Sequence, residues 1–285
     1  MVTTGDGRKL AYKRLGSGPA LVCHGGGPGF SGLYLQNLGG LDEHLELILL
    51  DPRGTGGSDR PADSRAFTVE DYANDVEELR AHLGLERMSL LGHSHGGVVA
   101  MEYAARHPER VERLILASTL VRFAAEQQRA LEAGMAARRG EPWYEDAAEA
   151  LEAEEAGDFE SDEELAALVY REMPFYFAQY GDVEKAYLEM LRADIPNADT
   201  LRFFNKEIFP TFDLRPLLGR IEAPTLVIAG EEDFITGPVC ASEIADGIPG
   251  AEKVLLPGIG HFLFVEGPGA WRDAVLSFLG VAATA

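Results

Sequence analysis

One stretch constrains the fold of this chain more than any other. Met88-Ser89-Leu90-Leu91 is an apolar run suited to a buried strand. It passes through Gly92-His93-Ser94-His95-Gly96-Gly97 directly into Val98–Ala105, which has helical composition. A chain that goes from strand to helix without a linker needs a sharp turn, and the backbone conformations of such a turn are strained for most side chains. Gly92 and Gly96 remove the Cβ atoms that would clash there. Gly-x-Ser-x-Gly between a strand and a helix has the form of a nucleophile elbow. The turn would lift the Ser94 hydroxyl clear of the backbone and set it at a helix N-terminus, where the dipole favours negative charge.

The rest of the chain extends this strand-to-helix rhythm. Residues 1–16 read as a β-hairpin turning at Asp6-Gly7, with Leu10-Ala11-Tyr12 beginning the return strand. Strands are predicted at Pro19–Cys23, Leu45–Leu50, Val111–Ala117, Ala223–Gly230 and Ala251–Leu256. Helices are predicted at about Val69–Leu83, capped by Thr68 and ended by Gly84, and at about Pro268–Leu279. The elbow helix should stop at His107-Pro108. Alternating strands and helices imply a mostly parallel sheet with right-handed crossovers and ligands beyond the carboxyl ends of its strands. From about Phe123 to Phe209 no buried strand is evident. Ala, Glu, Leu and Arg dominate, and residues 121–212 read as an inserted helical lid on a core made of 1–120 and 213–285. Gly140–Tyr170 carries many acids and no Lys or Arg, which reads as a solvated helical face.

With 285 residues and 46% apolar content, the chain can bury one large α/β core. A formal charge of −22 argues against nucleic acid as a partner. No apolar run is long enough for a membrane span. The segment Met1–Gly7 lacks the basic start and apolar core of a signal peptide, so a cytoplasmic location is expected. Cys23 and Cys240 sit in apolar surroundings and read as reduced thiols.

A serine hydroxyl needs a general base to act as a nucleophile, and the base needs an acid to orient it. Ser94, Asp233 and His261 supply that set, each following a predicted strand, in the order of the α/β-hydrolase architecture. Glu231 and Glu232 compete with Asp233 for the acid role. Asp51, Arg53 and His24 read as loop-shaping residues. His93-x-His95 has the look of a metal pair, but the elbow explains the spacing and no further ligand cluster accompanies it, so no metal or cofactor is expected.

These motifs carry a resemblance. His24-Gly25-Gly26-Gly27-Pro28-Gly29, Asp51-Pro52-Arg53-Gly54-Thr55-Gly56-Gly57-Ser58, the Gly92–Gly97 elbow, Gly230-Glu231-Glu232-Asp233 and Gly260-His261-Phe262 together resemble an α/β-hydrolase, more narrowly the proline iminopeptidase-like family. The resemblance implies that Ser94 attacks a carbonyl carbon with His261 as base and Asp233 as its orienter. It also implies an oxyanion hole made by the backbone N–H of His95 and one from the glycine loop, Gly27 with Gly26 beside it. The family's lids use Glu residues to hold the substrate's free amine, and Glu207 is the candidate here. The chain departs from the family's peptidases at His95, where they carry Trp, and at Pro52, where they carry Gln. The expected activity is removal of an N-terminal aminoacyl residue, proline-like or small and apolar, from a short peptide or aminoacylated metabolite. A carboxylesterase or lactonase is the enzymatic alternative, and a non-catalytic binding protein of the same fold is the remote one. Dehalogenases and epoxide hydrolases of this fold carry Asp at the elbow, where this chain has Ser94.

Overall fold

The computed structural model describes residues 1–63 and 65–282; residues 283–285 of the expected core segment lie outside the described residues. Among the described residues, nine strands run in chain order: β1 (Val2–Thr3), β2 (Lys9–Leu10), β3 (Tyr12–Gly16), β4 (Ala20–His24), β5 (Glu46–Leu50), β6 (Met88–His93), β7 (Val111–Ala117), β8 (Thr225–Gly230) and β9 (Glu252–Leu256). The helices of the two flanking layers are α1 (Val69–His82), α2 (His95–Arg106), then, after the insertion, α8 (Arg215–Leu218), α9 (Pro238–Gly247), α10 (Leu263–Glu266) and α11 (Pro268–Leu279). Between β7 and α8 lie α3 (Ala125–Ala137), α4 (Tyr144–Ala156), α5 (Asp162–Glu172), α6 (Asp182–Leu191) and α7 (Ala198–Phe203).

Seven strands form one sheet in the order β3-β5-β4-β6-β7-β8-β9, parallel except for β3. The expected hairpin forms only over β1 and β2, with Val2 opposite Leu10 and Gly7 at φ 85°. The return strand then breaks at Ala11. Its N–H donates to Ser58 Oγ and its carbonyl accepts the Asp51 N–H, and Tyr12–Gly16 is handed to the main sheet beside β5. Local turn chemistry specified the hairpin, but a β5 edge in need of partners captured the second half.

The central strands β4 to β8 are largely apolar on both faces because both are covered. Val22, Ile48 and Leu90 pack with α1, α2 and α9 through residues such as Val76, Met101 and Ile244. Leu21, Cys23, Leu49, Leu91 and Ile228 face the other way, toward Trp271 and Val275 of α11 and toward the insertion. Each such side chain contributes roughly 1.5–3 kcal/mol by leaving water. Thr68 and Asp71 cap α1 reciprocally, each side chain accepting the other's backbone N–H at 3.1 Å. The insertion covers the carboxyl end of the sheet and is tied down by Phe175 and Phe234, which stack at 5.6 Å. Among the described residues, no helix is long and apolar enough to cross a membrane.

Candidate active site

Ser94 sits between β6 and α2 at φ 56°, a conformation a non-glycine residue adopts only where its surroundings impose it. Those surroundings are tight. A Cβ on Gly92 would lie 2.3 Å from the Gly96 carbonyl oxygen, and one on Gly96 would lie 2.2 Å from that of His24. The turn is fastened by the Ser94 N–H on the Ala117 carbonyl (3.0 Å) and by Thr119 Oγ1 on the Ser94 carbonyl (2.7 Å).

The loops after β8 and β9 bring Asp233 and His261 together. His261 Nδ1 donates to Asp233 Oδ2 at 2.9 Å, and both side chains are buried. Asp233 also accepts the Thr236 hydroxyl (2.7 Å) and the N–H groups of Ile235 and Thr236. Burial alone would raise its pKa. The adjacent His261, first through charge and then through its hydrogen bond, together with the Thr236 donors, holds it below the usual carboxylate range. Neither Glu231 nor Glu232 meets the imidazole. Instead the Glu232 carbonyl accepts Arg138, the residue after α3, at 2.8 Å. The His261 main chain is fixed by its N–H on the Tyr176 carbonyl (2.7 Å). Ser94 and His261 line one cavity, although among the described residues no hydrogen bond joins them. Such contacts often tighten only with ligand bound.

The glycine loop after β4 passes directly over Ser94, and a Cβ on Gly26 would lie 2.6 Å from Ser94 Cβ. The Gly26 N–H, however, donates to the Tyr34 hydroxyl. This corrects the expectation for Gly26: its amide is already engaged within the protein. Gly27, at φ 116°, lines the cavity, and His95 is the first residue of α2, where an N–H has no partner within the helix.

The cavity, about 120 Å³, is walled mainly by apolar side chains, among them Phe30, Val169, Met173, Leu191, Leu201 and Phe262. Two acids interrupt them, Glu154 from α4 and Glu172 from α5. Glu172 is 3% exposed and its Oε2 has no hydrogen-bond partner. Burial, reinforced by the charge of Glu154, pushes its carboxyl well above the ordinary range. Burial and then Glu155 push Glu154 up to about 7. Glu207 is elsewhere. Its side chain is 53% exposed and pairs at 3.6 Å with Lys206, so the expectation for Glu207 is corrected: it does not line this cavity. A signal for the two cavity acids existed in the sequence. Glu172 follows Leu165 and Val169 at helical spacing, and Glu154 follows Ala147 and Leu151 in the same way, placing each acid on an apolar stripe.

The loop-shaping residues do what their types suggest. Asp51 accepts the N–H groups of Gly32 and Gly57, Arg53 binds Asp75 at 2.7 Å, and His24 Nδ1 meets the Gly25 carbonyl at 2.7 Å. The His95 ring packs between Tyr72 and Phe204. Cys23 and Cys240 are buried free thiols. Among the described residues, no group of three or more His, Cys, Asp or Glu is placed to hold a metal.

A parallel sheet with a strained serine at a strand-to-helix turn, and an aspartate–histidine pair on later strand ends, is the arrangement of an α/β-hydrolase. The alpha/beta hydrolase fold family matches residues 19–268, and the chain belongs to it. Within that family it is a proline iminopeptidase-like hydrolase. It is 30% identical to the proline iminopeptidase of Levilactobacillus brevis, over 92% of this chain and 88% of that one. Solved structures with similar chains include a hydrolase from Pseudomonas aeruginosa (31% identity, TM-score 0.72, 98% and 97% covered) and the enol-lactonase of Burkholderia xenovorans (28%, 0.73, 96% and 98%).

Proposed function

We propose that this protein is a serine hydrolase that releases an N-terminal aminoacyl residue, proline-like or small and apolar, from a short peptide or aminoacylated metabolite. Ser94 Oγ attacks the carbonyl carbon while His261 Nε2 takes its proton, and Asp233 holds the imidazole and balances its charge. The amides of Gly27 and His95 receive the developing oxyanion, each donor supplying about 3–4 kcal/mol in the transition state. His261 then returns the proton to the departing amine, and water repeats the sequence on the acyl-enzyme. The substrate's α-ammonium group meets Glu172 and Glu154.

The observation that carries this reading is Glu172, a buried carboxylate with an unpartnered oxygen on the wall that Ser94 and His261 share. Burial without a counter-charge favours the protonated form of this carboxyl, and a bound ammonium would supply the counter-charge that favours the ionised one. The small apolar remainder of the cavity suits a short side chain. The test compares an aminoacyl arylamide with its N-acetylated form. A strong preference for the free amine is expected. Equal rates would reject amine recognition and favour a carboxylesterase or lactonase, a reading supported by the apolar walls and by the likeness to an enol-lactonase.

A further inference from the structure

Tyr34 and His93 are buried in the wall of the cavity and take no part in the steps above. Their hydrogen bonds form a continuous chain whose direction can be deduced. His93 Nε2 lies 3.0 Å from the His261 main-chain carbonyl, which can only accept, so Nε2 carries the hydrogen. Burial, and then the nearby His261, hold His93 down to about 3, so the ring is neutral and Nδ1 is a lone pair. The Tyr34 hydroxyl, 2.8 Å from that Nδ1, therefore donates to it and accepts the Gly26 N–H on its own oxygen. The run is Gly26 N–H to Tyr34 O–H to His93 Nδ1, then His93 Nε2–H to the His261 carbonyl. Each group has one partner and one role, and such chains strengthen cooperatively. Tyr187 of α6 fixes the near end by donating to the Tyr34 carbonyl at 2.8 Å. The chain's ends are significant. One is the residue before Gly27, and the other is the backbone of His261.

We infer that Tyr34 and His93 are positioning residues, a buried strut that sets the distance between the oxyanion amide of Gly27 and the imidazole of His261. The inference rests on the catalytic roles proposed above for those groups. The strut holds the two halves of the transition-state site, donor and base, in one register. A neutral His93 does so without placing a second positive charge beside His261, with its ring centroid 4.8 Å away, when that imidazole is protonated.

Tyr34→Phe keeps the ring and removes both hydrogen bonds of the hydroxyl. It should lower kcat about ten- to a hundredfold with KM nearly unchanged, less than the ~10²–10³ lost when an oxyanion donor is deleted outright. Labelling by a fluorophosphonate should slow in proportion. His93→Gln preserves a donor toward the His261 carbonyl but offers Tyr34 no acceptor at Nδ1. In that background Tyr34→Phe should cost little more, because the strut is already broken. Additive losses from the two substitutions would overturn the strut, as would a Tyr34→Phe enzyme with wild-type kcat beside an inert Ser94→Ala control. An active Ser94→Ala protein would overturn the catalytic reading and the strut with it. Nitrogen-15 histidine spectra of the unmodified protein should give His93 as the neutral Nε2–H tautomer. The Nδ1–H tautomer would refute the deduced direction.

Discussion

Glu172→Gln should separate recognition from stability, because the same carboxylate serves one and harms the other. The exchange is nearly isosteric and removes only the charge. In the unliganded protein that charge has no cationic partner, and burial with Glu154 nearby raises the carboxyl's pKa well above 4.5. An acid whose pKa is raised on folding binds its proton more tightly folded than unfolded. Its ionisation therefore costs stability, the cost being absent below about 4.5 and growing as pH rises through the folded value. Each tenfold change in proton affinity amounts to about 1.4 kcal/mol. In a chain of 285 residues, whose unfolding entropy is about 0.6 kcal/mol/K, that corresponds to a Tm change of about 2 °C. Glu172→Gln should thus raise Tm at pH 9 by at least that much and leave it unchanged at pH 4.5. Activity should move the opposite way. Removing one partner of a buried charge pair costs about 2–4 kcal/mol, or about 30- to 1,000-fold in kcat/KM on an aminoacyl arylamide, with the N-acetylated substrate unaffected. Glu207→Gln is the control. Its exposed pair with Lys206 contributes about 0–1 kcal/mol, and neither property should change. A Glu172→Gln protein that melts lower at pH 9, or that keeps the full preference for the free amine, would refute the reasoning.

Three further outcomes follow from the site. Ser94→Ala should abolish fluorophosphonate labelling and reduce turnover by about 10⁴-fold or more, measured on the favoured amide substrate. The ratio of kcat/KM on free and N-acetylated substrates should decline as pH falls below about 7, because Glu154, raised to about 7 by burial and then by Glu155, loses its charge there. The acetylated reference cancels the titration of the catalytic base. Gly96→Ala should fail to yield folded protein, or should melt far lower by calorimetry. Its Cβ would need space already filled by the His24 and Gly25 carbonyl oxygens, at 2.2 and 2.5 Å, and backbone cannot move aside as a side chain can.

Much of this was legible in the sequence because it rests on local rules. A sharp turn demands small residues, so Gly92 and Gly96 mark the elbow. Thr68 and Gly84 mark the ends of α1, and Pro268 opens α11 at the residue its composition indicates. The chain order of Ser94, Asp233 and His261 is a property of topology, legible without any of their contacts. Gly26 and Glu207 fell outside such rules. The glycine loop offers consecutive amides of equal chemistry, and only the fold decides that Tyr34, eight residues beyond Gly26, engages that amide. The acids of residues 140–170 resemble a solvated face because composition does not record direction. Glu154 and Glu172 reach the cavity wall only when α4 and α5 pack together and turn their stripes toward Ser94. Sequence alone thus determined the fold, the elbow and the order of the chemical groups, all set by backbone geometry and covalent order. The tertiary structure alone decided which amide is free, which carboxylate is buried and which histidine stays neutral, because those properties depend on neighbours that the chain brings together from far apart.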